Sequence, residues 1–247
     1  MTDVAERRGT PMINSDMGES LGLHSFGNDL ALLETVDAIN VACGFHSGDP
    51  DTMAATVAAA KEKGVLVGAH PGLPDLVGFG RREMKLSPQE VEHIVLYQVG
   101  ALSAFLRWEG VSLSHIKPHG SLYGMLARDA DLMRGAARVA QLFDVPVYGI
   151  AGTAHQSVCE ELGVPFVAEL YVDLNYGPAG ELLIQRRPKP TDPGAAARRV
   201  TRALTDGVVE ASDGTLLTIP FDTVCVHSDA PNSPEVAAAV RSALDTL

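Results

Sequence analysis

From Pro11 onward the chain alternates between short apolar, β-rich runs and longer stretches whose apolar positions recur at helical spacing. Seven runs predict strands, at residues 12–16, 38–43, 65–69, 113–117, 145–150, 165–169 and 223–226. Four helices stand out between them, at residues 49–64, 87–110, 129–143 and 233–247. Asp49, Ser87 and Ser233 each precede a proline, which suits an N-cap followed by proline in the first helical turn. Gly64 and Gly110 fall just past the last apolar position, where a left-handed residue closes a helix.

Strand, helix, strand alternation implies right-handed crossovers and a largely parallel sheet, closed or nearly so. A length of 247 residues suits one such barrel. The expected fold is therefore α/β: a seven-stranded (β/α) barrel, TIM-barrel-like, forming a single domain over 1–247. Residues 1–11 read as a polar tail. Residues 171–222, which include YVDLNYGPAGELLIQRRPKPTDPG, read as a long excursion, with one small hairpin around PAGE and a second around DGTLLT (213–218). No internal repeat suggests a solenoid.

Composition narrows the function classes. Nineteen Lys and Arg against 31 Asp and Glu give a net charge of −12 and a pI near 5.0, which disfavours binding to nucleic acid or to an anionic membrane. The three cysteines, Cys43, Cys159 and Cys225, are odd in number and lack CxxC spacing, so neither a disulfide framework nor a zinc ribbon is indicated. The opening residues contain no apolar leader core, and no apolar run is long enough for a membrane span, so cytoplasmic residence is expected.

Catalytic groups of parallel barrels collect at the carboxyl ends of the strands, where the loops converge. Here those ends carry Asn14, Asp16 and Glu19; Cys43, His46 and Asp49; His70, Asp75, Arg81 and Arg82; Lys117, His119 and Tyr123; Glu169 and Asp173; and His227 with Asp229. Of the eight histidines, His46, His70, His119 and His227 belong to this set, while His24, His93, His115 and His155 do not. Each group also has a bland reading. Asp16 alone suits a turn or cap, any one histidine suits a satisfied core position, and Arg81 and Arg82 suit a solvated pair beside Glu83. Cys43 and Cys225 read as small core residues, and Tyr123 and Trp108 as packing groups. Lys117 on an apolar strand is harder to dismiss, because a buried lysine needs a partner. Asp16, His46 and His70 together suit a divalent metal such as zinc or manganese. No phosphate loop, kinase signature, dinucleotide fingerprint, GxSxG elbow or HExxH helix is present.

The blocks INSDMGES, GND, NVACGFHSGDP, VGAHPGLPDLVGFGRR, YQVGAL, KPHGSLY and DTVCVHSD resemble those of the LamB/YcsF family, in order and through most of the chain. The resemblance implies a fold similar to the seven-stranded barrel of the glycoside hydrolase and deacetylase group. It also implies ATP-dependent opening of the lactam of 5-oxo-L-proline to L-glutamate, a reaction carried out with 5-oxoprolinase subunits B and C. Partners that use the ATP explain why no nucleotide motif is found here. Two positions depart from the family pattern: Leu174 stands where an arginine is usual, and HSD, at 227–229, stands where HGD is usual.

An amide is a poor electrophile, so phosphorylation of the carbonyl oxygen followed by addition of water is the expected route. Asp16 or Glu19 is the expected general base. His46, His70 and His119 are expected to donate protons or stabilise an oxyanion, with Lys117 as a counter-charge. Arg81 or Arg82 is expected to hold the substrate carboxylate, with Asn14, Asp49, Asp173 and His227 as further substrate contacts. Two other readings stay open: a deacetylase or amidohydrolase using a metal on Asp16, His46 and His70, and a noncatalytic subunit that binds partners.

Overall fold

The seven apolar runs become seven parallel strands: β1 (Met12–Met17), β2 (Ala38–Ala42), β3 (Leu66–His70), β4 (Leu113–Ile116), β5 (Val147–Gly149), β6 (Phe166–Tyr171) and β7 (Thr223–Cys225). In this computed structural model, which describes residues 10–184 and 188–246, they close into a barrel in sequence order. Closure comes from β7 pairing with β1, where Asn14 lies opposite Cys225. On its other side β1 pairs with β2, placing Asp16 opposite Asn40. Most of the expected 1–11 tail lies outside the described residues.

Strand side chains alternate between the two faces of a sheet. Ile13, Met17, Ile39, Val41, Val67 and Ala69 enter the apolar core between barrel and helices. Their neighbours Asn14, Asp16, Asn40, His115, Lys117 and Glu169 are buried as well, so the barrel lumen is polar while the shell around it is apolar.

The helices are α1 (Asp29–Leu32), α2 (Pro50–Lys63), α3 (Pro88–Glu109), α4 (Gly120–Arg128), α5 (Ala130–Phe143), α6 (Ala154–Leu162), α7 (Pro193–Thr205) and α8 (Ser233–Asp245). Asp49 caps α2, Ser87 and Glu90 form a reciprocal capping box on α3, and Gly64 and Gly110 close those helices in the left-handed conformation. The third expected cap is different. Asn232 occupies the N-cap of α8, and Ser233 is its first helical residue. The Ser233 hydroxyl donates to the Ser228 carbonyl and accepts from Asn28, tying two loops together instead of capping.

The described residues of 171–222 hold more regular structure than an excursion. Their two hairpins pair residues 175–176 with 182–183 and residues 209–210 with 216–217. Between them runs α7, whose proline-rich flanks obscure its helical periodicity. It buries Ala196, Val200 and Ala203 along one stripe and packs on α8. From α7, Arg199 donates to the carbonyl of Leu174 and also lies against those of Tyr171 and Val172, anchoring the segment that leaves β6. All three cysteines are buried and free. Among the described residues, no helix is long and apolar enough to cross a membrane.

Candidate active site

Two polar layers fill the barrel below its mouth. In the lower one, Asn14 donates to Glu169 (3.1 Å) and to the Thr223 hydroxyl (3.0 Å). Asn40 donates to the Asn14 side-chain oxygen and to Asp16, each at 2.8 Å. His115 spans the lumen to the Asn40 oxygen, passing over Gly68, where a Cβ would lie 2.2 Å from the ring. Burial lowers the pKa of His115 to about 3, so it is a neutral donor in a satisfied network.

Lys117 sits above this layer. Its ammonium lies 2.9 Å from Asp16 Oδ1, 3.0 Å from Cys225 Sγ and 3.4 Å from Glu169 Oε1, with the side chain 2% exposed. Burial disfavours its charge, yet the carboxylate of Asp16, with Cys225 and Glu169, holds its pKa well above the ordinary lysine value. Burial likewise opposes ionisation of Asp16, but His70 and Lys117 bring it well below the usual carboxylate range. The hydroxyls of Tyr123 and Tyr171 donate to the second oxygen of Glu169, at 3.2 and 3.0 Å.

The histidines line one side. His70 ends β3, His119 precedes α4 and His46 follows β2. The rings of His46 and His119 stack at 3.7 Å, and His70 meets His119 edge-on. Glu19 lies 3.1 Å from His46 Nε2 and 3.5 Å from His119 Nδ1. Burial and the nearby Asp16 charge push the Glu19 carboxyl well above its ordinary value. The loop from Pro71 to Arg82 covers these rings. Phe79 adopts the left-handed conformation, with φ of 54°, and its carbonyl meets His119 Nε2 at 2.8 Å. Next to it, Gly80 has φ of 62°, and a Cβ there would come within 2.7 Å of His46.

At the rim, His227 Nδ1 lies 3.0 Å from Asp173 Oδ1, and its Nε2 lies 3.5 Å from Asp16 Oδ2. Burial works against its charge, but the Asp173 carboxylate raises its pKa to about 9. Arg81 forms an ion pair with Asp229 at 2.8 Å.

One cavity therefore gathers Asp16, His70, Arg81, Lys117, His119, Asp173 and His227, walled on one side by Leu174, Leu182 and Ile184 of the first hairpin. Glu19 and His46 lie buried behind His70 and His119, outside the cavity lining formed by the described residues. Three expected substrate contacts do not line this cavity among the described residues. Asn14 is 0% exposed inside the barrel and donates to Glu169. Asp49 accepts from the backbone of Gly22, Asp51 and Thr52, which occupies it as a cap. Arg82 turns away to chelate Asp75. Of the expected metal triad, His46 and His70 cluster with Glu19 and His119, while Asp16, 3.3 Å from His70, also groups with Cys225 and His227.

Asn40, His115 and Tyr171 are lumen residues that strand-end position does not single out, and Tyr123 and Cys225, expected as packing groups, contact the polar network. For His115 a signal exists, since it lies two residues before Lys117 and so shares its face of β4.

The sequence model of the LamB/YcsF family matches residues 12–247. The lactam utilization protein lamB of Emericella nidulans is 45% identical over 238 residues, covering 95% of this chain and 94% of that protein. The 5-oxoprolinase A-subunit of Thermus thermophilus is 47% identical over 237 residues, covering 94% of this chain and 95% of its own. The crystal structure of a lactam utilization protein from Thermus thermophilus superposes with a TM-score of 0.88 at 45% identity, covering 96% of this chain and 97% of that one.

Proposed function

This chain belongs to the LamB/YcsF family, and from that premise we propose that it is the lactam-opening subunit of an ATP-dependent 5-oxoprolinase, acting on 5-oxo-L-proline with subunits B and C. The observation that carries the reading is the joining of Lys117 to Asp16 at the floor of one cavity, within a chain nearly half identical over its length to proteins named for this reaction. The ring carbonyl is activated by phosphorylation of its oxygen at the expense of ATP, a step assigned to the partner subunits. Within this chain, water then adds to the activated carbon, the C–N bond breaks as a proton reaches nitrogen to leave the ring-opened acyl phosphate, and a second water releases phosphate and glutamate.

The side chains divide that work by charge. Asp16, kept ionised by His70 and Lys117, holds the attacking water and accepts its proton. His227, carrying a positive charge at neutral pH, and Lys117 face the oxygen on which negative charge grows. His119 lines the cavity beside His70, and Arg81, at the wall beside Asp229, meets the substrate carboxylate. Glu19 and His46 act on the neighbouring rings rather than on substrate.

The test combines the purified chain with subunits B and C, ATP and 5-oxo-L-proline and measures glutamate, with this chain omitted as control. Glutamate above the control is expected. Equal glutamate with and without the chain would reject a catalytic part for it and return the noncatalytic reading.

A further inference from the structure

The hydrogen bonds of the histidine cluster leave one contact without a donor. His70 Nδ1 lies 2.7 Å from the carbonyl oxygen of Lys117, and His119 Nε2 lies 2.8 Å from that of Phe79. A carbonyl only accepts, so each of these nitrogens carries the ring proton. In a neutral imidazole the other nitrogen is then a bare lone pair. Those two bare atoms, His70 Nε2 and His119 Nδ1, face each other at 2.9 Å. Such a contact is repulsive unless positive charge lies between or beside the two atoms. A proton shared by these two nitrogens would engage neither Glu19 nor His46, whose ligand atoms belong to the same cluster.

The surroundings fit a cation better. Glu19 Oε1 lies 3.5 Å from His119 Nδ1 and 3.1 Å from His46 Nε2, and one ligand atom from each of Glu19, His46, His70 and His119 falls within 4.8 Å of all the others. Ligand atoms around a tetrahedral ion at typical bond lengths are separated by roughly 3.3–3.5 Å. The separations of 2.9, 3.1 and 3.5 Å lie close to that spacing. His70 and His119 each give the far ring nitrogen to a backbone carbonyl, which is how metal-bound imidazoles are oriented and their tautomer fixed.

We propose that His46, His70, His119 and Glu19 form a site for one divalent transition-metal cation, set in the wall of the cavity. Three imidazoles and a carboxylate select zinc, manganese, iron or cobalt over calcium and magnesium, which prefer all-oxygen shells. A bound ion adds Lewis-acid charge beside Asp16, whose Oδ2 is 3.3 Å from His70 Nε2. The site stands independently of the lactam reading, because it is tested by ion binding and not by turnover.

The full chain, stripped with a chelator, is titrated with zinc, manganese or cobalt ions alone and followed by calorimetry and, for cobalt, by visible absorption. Binding of about one ion per chain is expected, weakened at least ~10-fold in Glu19→Gln and in His119→Gln. Nitrogen NMR of histidine-labelled wild-type chain reads the same contacts without any variant, with the rings of His46, His70 and His119 shifting on addition of zinc. If these resonances stay fixed, if none of the three ions binds, or if either folded variant binds as tightly as wild type, the site does not exist. A low-field proton resonance shared by His70 and His119 would then identify a trapped proton as the source of the positive charge.

Discussion

The ammonium of Lys117 and the carboxylate of Asp16, 101 residues apart in the chain, meet at 2.9 Å inside a barrel that exposes only 2% and 4% of these residues. Neither charge is tolerable there alone, so the pair holds the floor of the cavity and sets its electrostatics together. Removing one partner strands the other.

Lys117→Met leaves Asp16 and Glu169 buried without their shared counter-charge. Breaking a buried pair in this way costs about 3–5 kcal/mol. A correspondingly lower midpoint in chemical denaturation is expected, and an unchanged midpoint would show that the ion pair does not hold the barrel floor.

Asp16→Asn keeps the shape and the hydrogen-bonding capacity but removes the carboxylate proposed to act as base. Glutamate formation by the reconstituted complex should fall by ~10²–10⁴, the usual contribution of a general base. Retention of full activity by a folded variant would remove Asp16 from the chemistry.

His227 supplies a pH dependence whose sign is set by its raised pKa of about 9. An unfolded imidazole titrates near ~6.5. The stabilisation from the charged His227–Asp173 pair is therefore complete below that value and is lost as pH rises through about 9. Proton NMR should show the ring charged at neutral pH, and Asp173→Asn should move its titration down. A ring already neutral at pH 7 contradicts this assignment.

Gly80→Ala tests the cover over the histidines. With φ of 62° and a Cβ that would lie 2.7 Å from His46 and 2.9 Å from His119, the change should lower both stability and activity. Gly152→Ala is the control, because it shares a positive φ of 74° but meets nothing within 4 Å. Backbone strain of about 1–3 kcal/mol is common to both, so only the clash separates them. Equal activity in the two variants would mean that the loop does not hold the rings in place.

Asp49→Ala should lower the thermal midpoint by uncapping α2 and releasing Gly22, and leave kcat/KM for 5-oxoproline unchanged. A selective rise in KM with unaltered stability would restore Asp49 to the binding site.

Local pattern in the chain was enough to locate the seven strands, the four long helices and the caps of α2 and α3, because periodicity and cap chemistry act over a few residues. It was also enough to mark the strand ends as the polar end of the barrel, and Asp16, His70, Lys117, His119 and His227 do converge there. What only the tertiary structure decided is which polar groups face one another across the lumen. Asn14 and Asp49 carry the same chemistry as true cavity residues, but one points into the barrel and the other into a helix end. His115 reaches Asn40 only because Gly68 leaves the space open. The meeting of His70 with His119 depends on the paired edge of β3 and β4 and on the turn at Phe79. A linear sequence states the inward or outward alternation of each strand, whereas closure and stagger, which bring distant strands into contact, are settled by the packing of the whole barrel at once.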